Sequence, residues 1–524
     1  ASANGIDRPM RAKMKPEVLD RLRRAVLLKI HGGAREIAAA LPLLPSPTIL
    51  HSSGYLKGGF DKEYPDHLPP NAGFGTQAEM RDLHAKARAA GHLVMPYTNP
   101  TWRCDHPRGP PFLAAGEAPL SVGPDGNPYR ESYSRNDGWT TCFWHPAVRA
   151  ANRELRRQFL EDVPVDILFQ DQVGARAWRW DFNRAGPLPH AYAEGLLSQA
   201  DEDAALAPLG TEDGWDRAAQ VESMLCGFTF TLVPGRRPEW AHPFRTAYPP
   251  ATWELWPLAQ RLAHDKCAFY HHDLGKFVVT PSDMAWTLGL GFNMSYSMNA
   301  SAASDARIMG WLAWLDRVQK SVCARYTGEP LHAFQHRQSE TANTEHRTPN
   351  IEHRSPDSTA NNQQPTTHSQ SAPVLAPRAP PLPDDGIIRA QYGPVRVVAN
   401  LGPQPREIDG RSLPGFGFHA EAPGMTAGVR QPPPGAPATT STSAFVTEAS
   451  ADHADVWFFG APGTEAVAEL PPPFASANGA VSATFDGGEP VRARLSDGTL
   501  RLALPPASGA TPRLWHATVT PAPK

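Results

Sequence analysis

This chain of 524 residues is poor in cysteine and has no long apolar run. Its five cysteines are scattered and form no Cys-x-x-Cys pair, which argues against a zinc ribbon and against a fold stapled by disulfides. No apolar run approaches the roughly 20 residues that a membrane-spanning helix needs, so we expect no membrane partner. We predict ordinary buried thiols at all five cysteine positions: Cys104, Cys142, Cys226, Cys267 and Cys323.

The chain also has no large excess of positive or negative charge. The chain carries 50 Lys and Arg against 53 Asp and Glu, and no basic run resembles a phosphate-binding surface. A nucleic-acid partner is therefore unsupported, and a neutral or weakly charged ligand fits better. The first residues, Ala1 to Lys15, lack the apolar core of a secretion signal. The sequence therefore assigns neither a compartment nor an oligomeric state.

Common catalytic and cofactor motifs are absent as well. No Gly-x-Ser-x-Gly elbow and no glycine-rich dinucleotide-binding turn occurs, which weighs against a Ser/His/Asp hydrolase and against a nucleotide cofactor. The run His271-His272-Asp273 suggests a metal site at first sight. However, neighbouring residues on a strand point to opposite faces, so both histidines cannot reach one ion from regular geometry. We expect neither a cofactor nor a metal ion.

Proline and tryptophan, by contrast, are abundant, with 56 and 14 residues. Surplus tryptophan often provides flat platforms for sugar rings, although most tryptophans are core residues. Residues 335–385 are rich in His, Gln, Ser, Thr, Asn and Pro and nearly without large apolar side chains. Such a segment cannot bury enough apolar surface to order itself, so we interpret 335–385 as a disordered linker or insertion.

Before this linker, strand and helix patterns alternate, which is typical of an α/β fold with a parallel sheet. We predict a (β/α)8 barrel of the TIM type over residues 1–334, with a doubly wound open sheet as the structural alternative. The predicted strands are Ala25–Ile30, Thr48–Ser52, His92–Tyr97, Val165–Asp171, Leu206–Glu212, Cys267–Asp273 and Phe292–Ser297, with a weak eighth pattern at Pro330–Phe334. The predicted helices are Thr76–Ala90, Pro146–Leu160, Pro189–Gln199 and Asp305–Ala324.

After the linker the pattern changes. Residues 386–524 contain short alternating apolar runs, such as Gly393–Gly402 and Asp455–Gly460, separated by Pro and Gly turns and without helical periodicity. This pattern predicts a C-terminal antiparallel β-sandwich region.

Three predicted strands end in acidic residues. Asp171 ends the fourth strand, Glu212 ends the fifth, and Asp273 ends the sixth. In (β/α)8 barrels the carboxyl ends of the strands carry the chemistry, although a turn-capping role is the alternative for each acid. Glycosidic cleavage needs two carboxyl groups, one to protonate the leaving oxygen and one to attack or to activate water. The strand ends therefore predict a glycosidase.

Four segments, in this order, carry a resemblance: HSSGYLKGGFDKEYPDHLPP, MPYTNPTW, LFQDQVGAR and LGTEDGWD. Together with the later VVANLG and GFGFHA strands, they resemble a family of bacterial glycoside-hydrolase-like barrels catalogued mainly as a domain of unknown function. More distantly, they are similar to the endo-α-N-acetylgalactosaminidases of glycoside hydrolase families 101 and 129. This resemblance implies Asp171 as the nucleophile and Glu212 as the acid/base. In the related α-galactosidase clan the acid follows the sixth strand, which nominates Asp273, and both assignments stay open.

The resulting hypothesis is a retaining glycoside hydrolase whose substrate is a carbohydrate with an α-linked sugar. Asp66, Asn99 and His272 are candidates for binding substrate hydroxyls, and Trp102 and Trp215 are candidates for stacking on a sugar ring. The alternative is a non-catalytic carbohydrate-binding barrel. A metal-dependent hydrolase is a third reading.

Overall fold

The computed structural model describes residues 5–105, 116–133, 136–176, 179–227, 254–271, 277–337, 386–430, 442–486, 488–507, 509 and 511–521. Within these ranges the chain forms an α/β part with parallel sheets, followed by a large antiparallel sheet. The helices, numbered in chain order, are α1 (Pro16–Arg24), α2 (Ala34–Ala40), α3 (Gln77–Ala89), α4 (Pro146–Arg157), α5 (Tyr192–Ala204), α6 (Leu258–Ala263), α7 (Pro281–Gly289), α8 (Ala306–Val318) and α9 (Ala324–Tyr326). None of these described helices has the length and apolar character needed to cross a membrane.

The strands of the α/β part form two parallel sheets and one small antiparallel sheet. They are β1 (Val26–His31), β2 (Thr48–His51), β3 (Leu93–Val94), β4 (Tyr97–Thr98), β5 (Trp102–Cys104), β6 (Arg130–Tyr133), β7 (Asn136–Thr140), β8 (Leu168–Gly174), β9 (Leu209–Asp213), β10 (Met224–Cys226), β11 (Ala268–Tyr270) and β12 (Ser295–Asn299). The parallel sheets have the orders β12-β1-β2-β3 and β11-β10-β9-β8-β4, and the small sheet has the order β5-β7-β6. Sequential parallel strands are therefore neighbours in space.

The two parallel sheets are linked at both edges. Only Met95 and Pro96 separate β3, which pairs with β2, from β4, which pairs with β8. At the other edge, Tyr270 at the end of β11 forms a parallel bridge with Asn293, two residues before β12. The backbone N–H of Asn293 donates to the carbonyl oxygen of Phe269 at 2.8 Å.

The predicted parallel α/β pattern is confirmed, with two corrections. The sequence analysis missed β10, because three apolar residues are too few to give a periodic signal. The strand predicted at Pro330–Phe334 does not belong to the parallel sheets, so this part of the barrel prediction is wrong. From Leu331 onward its residues form part of β13 (Leu331–Arg337), which pairs antiparallel with β14 (Ile387–Tyr392). Because β10 intervenes, β11 is the seventh parallel strand among the described residues when β3 and β4 are counted as one, not the sixth.

Helix α3 shows why the clearest helix prediction is right. Thr76 caps its N-terminus by accepting a hydrogen bond from the backbone N–H of Glu79, whose side chain binds back to Thr76. Met80, Leu83 and Ala87 recur at helical spacing and are all buried. Helices α4, α5 and α8 likewise begin within a few residues of their predicted starts.

The C-terminal region is antiparallel, as predicted. Its sheet has the order β13-β14-β15-β18-β19-β20-β21-β26-β23-β24-β25-β22, and β16 pairs with β17 beside it. The remaining strands are β15 (Val395–Asn400), β16 (Arg406–Ile408), β17 (Arg411–Leu413), β18 (Phe418–Ala422), β19 (Met425–Arg430), β20 (Ser443–Ala449), β21 (Ala454–Gly460), β22 (Glu465–Glu469), β23 (Gly479–Phe485), β24 (Pro490–Ser496), β25 (Thr499–Ala503) and β26 (Arg513–Pro521). A division into two sandwich layers stays a prediction.

This sheet packs directly on the α/β part. The Tyr392 hydroxyl donates to the carbonyl oxygen of Gly289 at the end of α7, at 3.1 Å, and Ile388 lies against the same turn. Residues 335–337 belong to β13, so the segment interpreted as a linker starts later than 335. Its remainder, 338–385, lies outside the described residues.

A bulge between β8 and β9 shapes the part of the sheet that carries Asp171. Gln170 pairs with Thr211, but the next pair is Gly174 with Asp213, so β8 has two extra residues at this point. The Thr211 hydroxyl holds the bulge together, because it donates to the Gln170 carbonyl oxygen and accepts from the Gly174 N–H, both at 2.8 Å.

Gly174 is required by the close approach of β9. A Cβ atom at this position would lie 2.8 Å from the carbonyl carbon of Asp213 and closer still to the carbonyl oxygen of Glu212. We expect Gly174→Ala to lower the free energy of unfolding by about 1–3 kcal/mol, the usual cost of overpacking. Urea denaturation measures this. Gly210→Ala is the matched control on β9, since its Cβ would meet neighbours only at 3.4 Å or more. Equal effects of the two substitutions would contradict the account.

Candidate active site

Asp171 and Glu212 lie side by side at the carboxyl ends of adjacent parallel strands, β8 and β9. Both side chains are buried, with 5% and 8% of the residue surface exposed. A side-chain hydrogen bond between the two carboxyl groups lowers the pKa of Asp171 and raises the pKa of Glu212. The two acids that the sequence singled out on neighbouring strands therefore form one site.

Two further donors hold the Asp171 carboxylate. The Tyr97 hydroxyl and the Asn99 amide both donate to its Oδ2, at 2.7 and 3.0 Å. Burial raises the pKa of Asp171 to about 6, while the hydrogen bond from Tyr97 and the charge of Arg176 act in the opposite direction. Asp171 is thus ionised at neutral pH in an interior position.

Glu212 has the opposite protonation. Burial is the main cause that raises its pKa well above the ordinary range, and the negative charges of Asp171 and Asp213 raise it further. Neighbouring carboxyl groups whose pKa values are pushed apart are typical of an acid paired with a nucleophile or base. In this pair Glu212 keeps the proton and Asp171 carries the charge.

Asp61 and Lys29 complete the charged surroundings, and the sequence analysis missed both. Asp61 lies in the loop after β2 with a φ of 58°, is buried, and accepts a hydrogen bond from the Tyr64 hydroxyl at 2.9 Å. Burial, followed by the charge of Asp171, raises its pKa to about 7. On β1, burial lowers the pKa of Lys29 to about 8, although Asp171 and Glu212 favour its charged form.

The structure brings only some of the predicted substrate-binding residues to this site. Asn99 contacts Asp171 directly. Asp66 instead forms an ion pair with Lys57 at 3.0 Å. Trp215 donates from its ring N–H to the Val173 carbonyl oxygen at 3.4 Å and packs on a small apolar cluster, so its stacking role stays a prediction.

Trp102 does not fit the predicted stacking role. Its side chain has no exposed surface and packs edge-on against Tyr64 and Tyr133. A fully enclosed ring supports the loop beneath the site and offers no face to a ligand. His272 and Asp273, the remaining candidates, lie outside the described residues.

All five cysteines are buried and unpaired, as predicted. In the described ranges, no group of three or more His, Cys, Asp or Glu side chains is arranged to hold a metal ion.

Comparisons with known proteins show a likeness of fold. No family model and no curated protein matches the chain. Ligand-free α-N-acetylgalactosaminidase NagBb from Bifidobacterium bifidum is similar in structure, with a TM-score of 0.52 and 13% identity over 76% of this chain and 60% of that one. Its GalNAc complex gives a TM-score of 0.53 and 12% identity over the same shares. This chain thus spans 60% of the length of that enzyme.

A third similar structure is the GH36 α-galactosidase AgaA from Geobacillus stearothermophilus in complex with raffinose, with a TM-score of 0.42 and 10% identity over 95% of this chain and 55% of that one. The likeness to NagBb, which is one of fold alone, gives this chain a glycosidase-like fold.

The buried acids make stability depend on pH. An acid with a raised pKa keeps its proton in the folded state after the unfolded chain has lost it, above pH about 4.3 for Glu. The free energy of unfolding therefore falls as pH rises towards the folded-state pKa. The Glu212→Gln variant has no carboxyl group at this position, so its free energy of unfolding should not fall in this way. The difference in free energy of unfolding between the variant and the parent should therefore favour the variant more at pH 8 than at pH 5, by about 1 kcal/mol or more.

Urea denaturation at the two pH values measures this difference. Glu117→Gln is the control, because Glu117 is exposed. A gain from Glu212→Gln that is the same at pH 5 and pH 8 would show that Glu212 does not hold a proton in the folded state.

Proposed function

We propose that this protein is a glycoside hydrolase that cleaves an α-linked sugar with retention of configuration, with Asp171 as the nucleophile and Glu212 as the acid/base. The observation that carries the proposal is the hydrogen-bonded pair of buried carboxyl groups on neighbouring strand ends. The glycosidase-like fold supports the same class of reaction.

The spacing of the pair favours retention over inversion. Retaining glycosidases hold their two carboxyl groups about 5–5.5 Å apart, whereas inverting enzymes need about 6.5–9.5 Å to admit a water molecule. Carboxyl groups that hydrogen-bond to each other leave no room for a water between them. Glu212 would move from this hydrogen bond to the glycosidic oxygen when a substrate enters.

The protonation of the pair matches the two steps of this mechanism. In the first step, the Asp171 carboxylate attacks the anomeric carbon while Glu212 gives its proton to the leaving oxygen, which breaks the glycosidic bond. In the second step, the Glu212 carboxylate takes a proton from water, whose oxygen attacks the anomeric carbon and releases Asp171. Each residue returns to its starting state.

The surrounding residues fit supporting roles. Tyr97 and Asn99 hold the Asp171 carboxylate in one orientation for attack. Asp61, an additional buried carboxyl group beside the pair, is suited to accept hydrogen bonds from substrate hydroxyls. The positive charge of Lys29 offsets part of the repulsion among these acids.

The site also fits a barrel mouth. We take the two parallel sheets, linked through β3–β4 and through the Tyr270–Asn293 bridge, as two arcs of one eight-stranded barrel. In this arrangement β12 supplies the last strand. The alternative is a non-catalytic sugar-binding barrel, which would bind α-linked sugars without hydrolysing them.

Site-directed variants test this assignment. Because NagBb is an α-N-acetylgalactosaminidase, the first substrates are α-linked N-acetylgalactosaminides and galactosides. We expect Glu212→Gln to lower kcat by about 10²–10⁴-fold on a disaccharide, the usual contribution of a general acid. The loss should be much smaller on the matching glycosyl fluoride, since fluoride leaves without a proton. Asp171→Asn should abolish turnover of both substrates.

Asp66→Asn is the matched control, because Asp66 is an acid in the loop after β2 that pairs with Lys57. Proton NMR of the first product should show the α anomer. Release of the β anomer would establish inversion. Full activity of Asp171→Asn, or a parent protein inactive on all α-glycosides, would overturn the proposed function.

A further inference from the structure

Two exposed aromatic rings lie in the loop that follows β8. Trp180 and Phe182 are 58% and 42% exposed, their ring centroids are 6.5 Å apart, and their planes differ by only 18°. The loop connects β8 to α5, so it lies at the same end of the parallel strands as Asp171. Exposed aromatic pairs are uncommon on a protein surface that has no ligand to bind.

The backbone between the two rings is firmly anchored. Asp181 is buried, and its carboxylate accepts hydrogen bonds from the backbone N–H groups of Val122 and Asn183, both at 2.9 Å. The backbone N–H of Phe182 donates to the Val122 carbonyl oxygen at 2.8 Å. Since side chains alternate along an extended segment, burying Asp181 turns Trp180 and Phe182 outward together.

Buried ion pairs connect this loop to the body of the protein. Glu131 binds Arg176 through two hydrogen bonds of 2.8 and 2.6 Å and also accepts from Arg179 at 2.6 Å. The Arg176 and Glu131 side chains are only 4% and 15% exposed. Bidentate pairs of this kind fix geometry as well as charge. Arg179, next to Trp180, is therefore held in place.

The same network continues to the nucleophile. Arg176 also donates to the side-chain oxygen of Gln172 at 2.5 Å, and Gln172 is within 3.5 Å of the Asn99 amide nitrogen. Asn99 donates in turn to Asp171 at 3.0 Å. Arg179, the residue before Trp180, is thus linked to Asp171 through consecutive side-chain hydrogen bonds.

We propose that Trp180 and Phe182 form a platform on which the leaving-group sugar of an α-linked oligosaccharide stacks. This inference rests on the proposed glycosidase function and adds the subsite beyond the scissile bond. Flat aromatic faces suit the apolar C–H face of a sugar ring. Among the described residues of this loop, the exposed large apolar side chains are Trp180, Phe182 and Leu188, and these three alone are too few for a stable protein interface of about 800 Å² per partner.

The test compares substrates that do and do not reach the platform. A glycosyl fluoride has no leaving-group ring, whereas an α-linked disaccharide with the same first sugar does. We expect Trp180→Ala to lower kcat/KM on the disaccharide by about 2- to 13-fold, mainly through KM, and to leave the fluoride unchanged. Trp180→Phe should restore most of the loss. Trp256→Ala is the control, since Trp256 is an exposed tryptophan outside this loop.

The other possible results contradict either the platform or the proposed function. Equal losses on both substrates, or no loss on the disaccharide, would overturn the platform and leave the glycosidase intact. A shift from dimer to monomer with Trp180→Ala, measured by sedimentation, would assign the patch to self-association instead. A parent protein that cleaves neither fluoride nor disaccharide would overturn the proposed function, and the platform with it.

Discussion

The burial of two adjacent carboxyl groups, Asp171 and Glu212, whose pKa values are both raised, is the constraint on which the rest of the site depends. Burial raises the pKa of both carboxyl groups, and the charge of Asp171 raises that of Glu212 further, whereas the hydrogen bond from Tyr97 favours the charged form of Asp171. Burying such acids costs free energy, and the protein meets this cost with oriented donors and not with solvent. The same arrangement fits the roles that we propose for the pair, with Asp171 as the nucleophile and Glu212 as the proton donor.

The backbone conformation around Asp171 and Glu212 is set by a bulge and by a glycine. The bulge in β8, closed by Thr211, lets two adjacent strands converge where Gly174 has no side chain. The buried cation Lys29 is attracted to Asp171 and Glu212, which offsets part of the repulsion between these two acids. A site built in this way lowers the stability of the fold, as is common where function demands unfavourable burial.

Sequence reasoning located the two acids and Asn99, but not Asp61 or Lys29. Asp171 and Glu212 were predictable because parallel strands deliver their carboxyl ends to one edge, whatever the intervening loops do. The loop after β2 offers several acids, and periodicity cannot tell that Asp61 turns inward while Asp66 pairs with a lysine. Trp102 was misjudged for the same reason, since burial of a loop residue depends on distant packing partners.

The central claim is that Asp171 forms a covalent bond to the sugar. The most direct measurement is mass spectrometry of the protein after incubation with a 5-fluoro-glycosyl fluoride, which slows breakdown of a glycosyl-enzyme intermediate. The account predicts one added sugar, located on Asp171 by peptide mapping. A label on a different carboxylate, or active hydrolysis with no label at all, would contradict it.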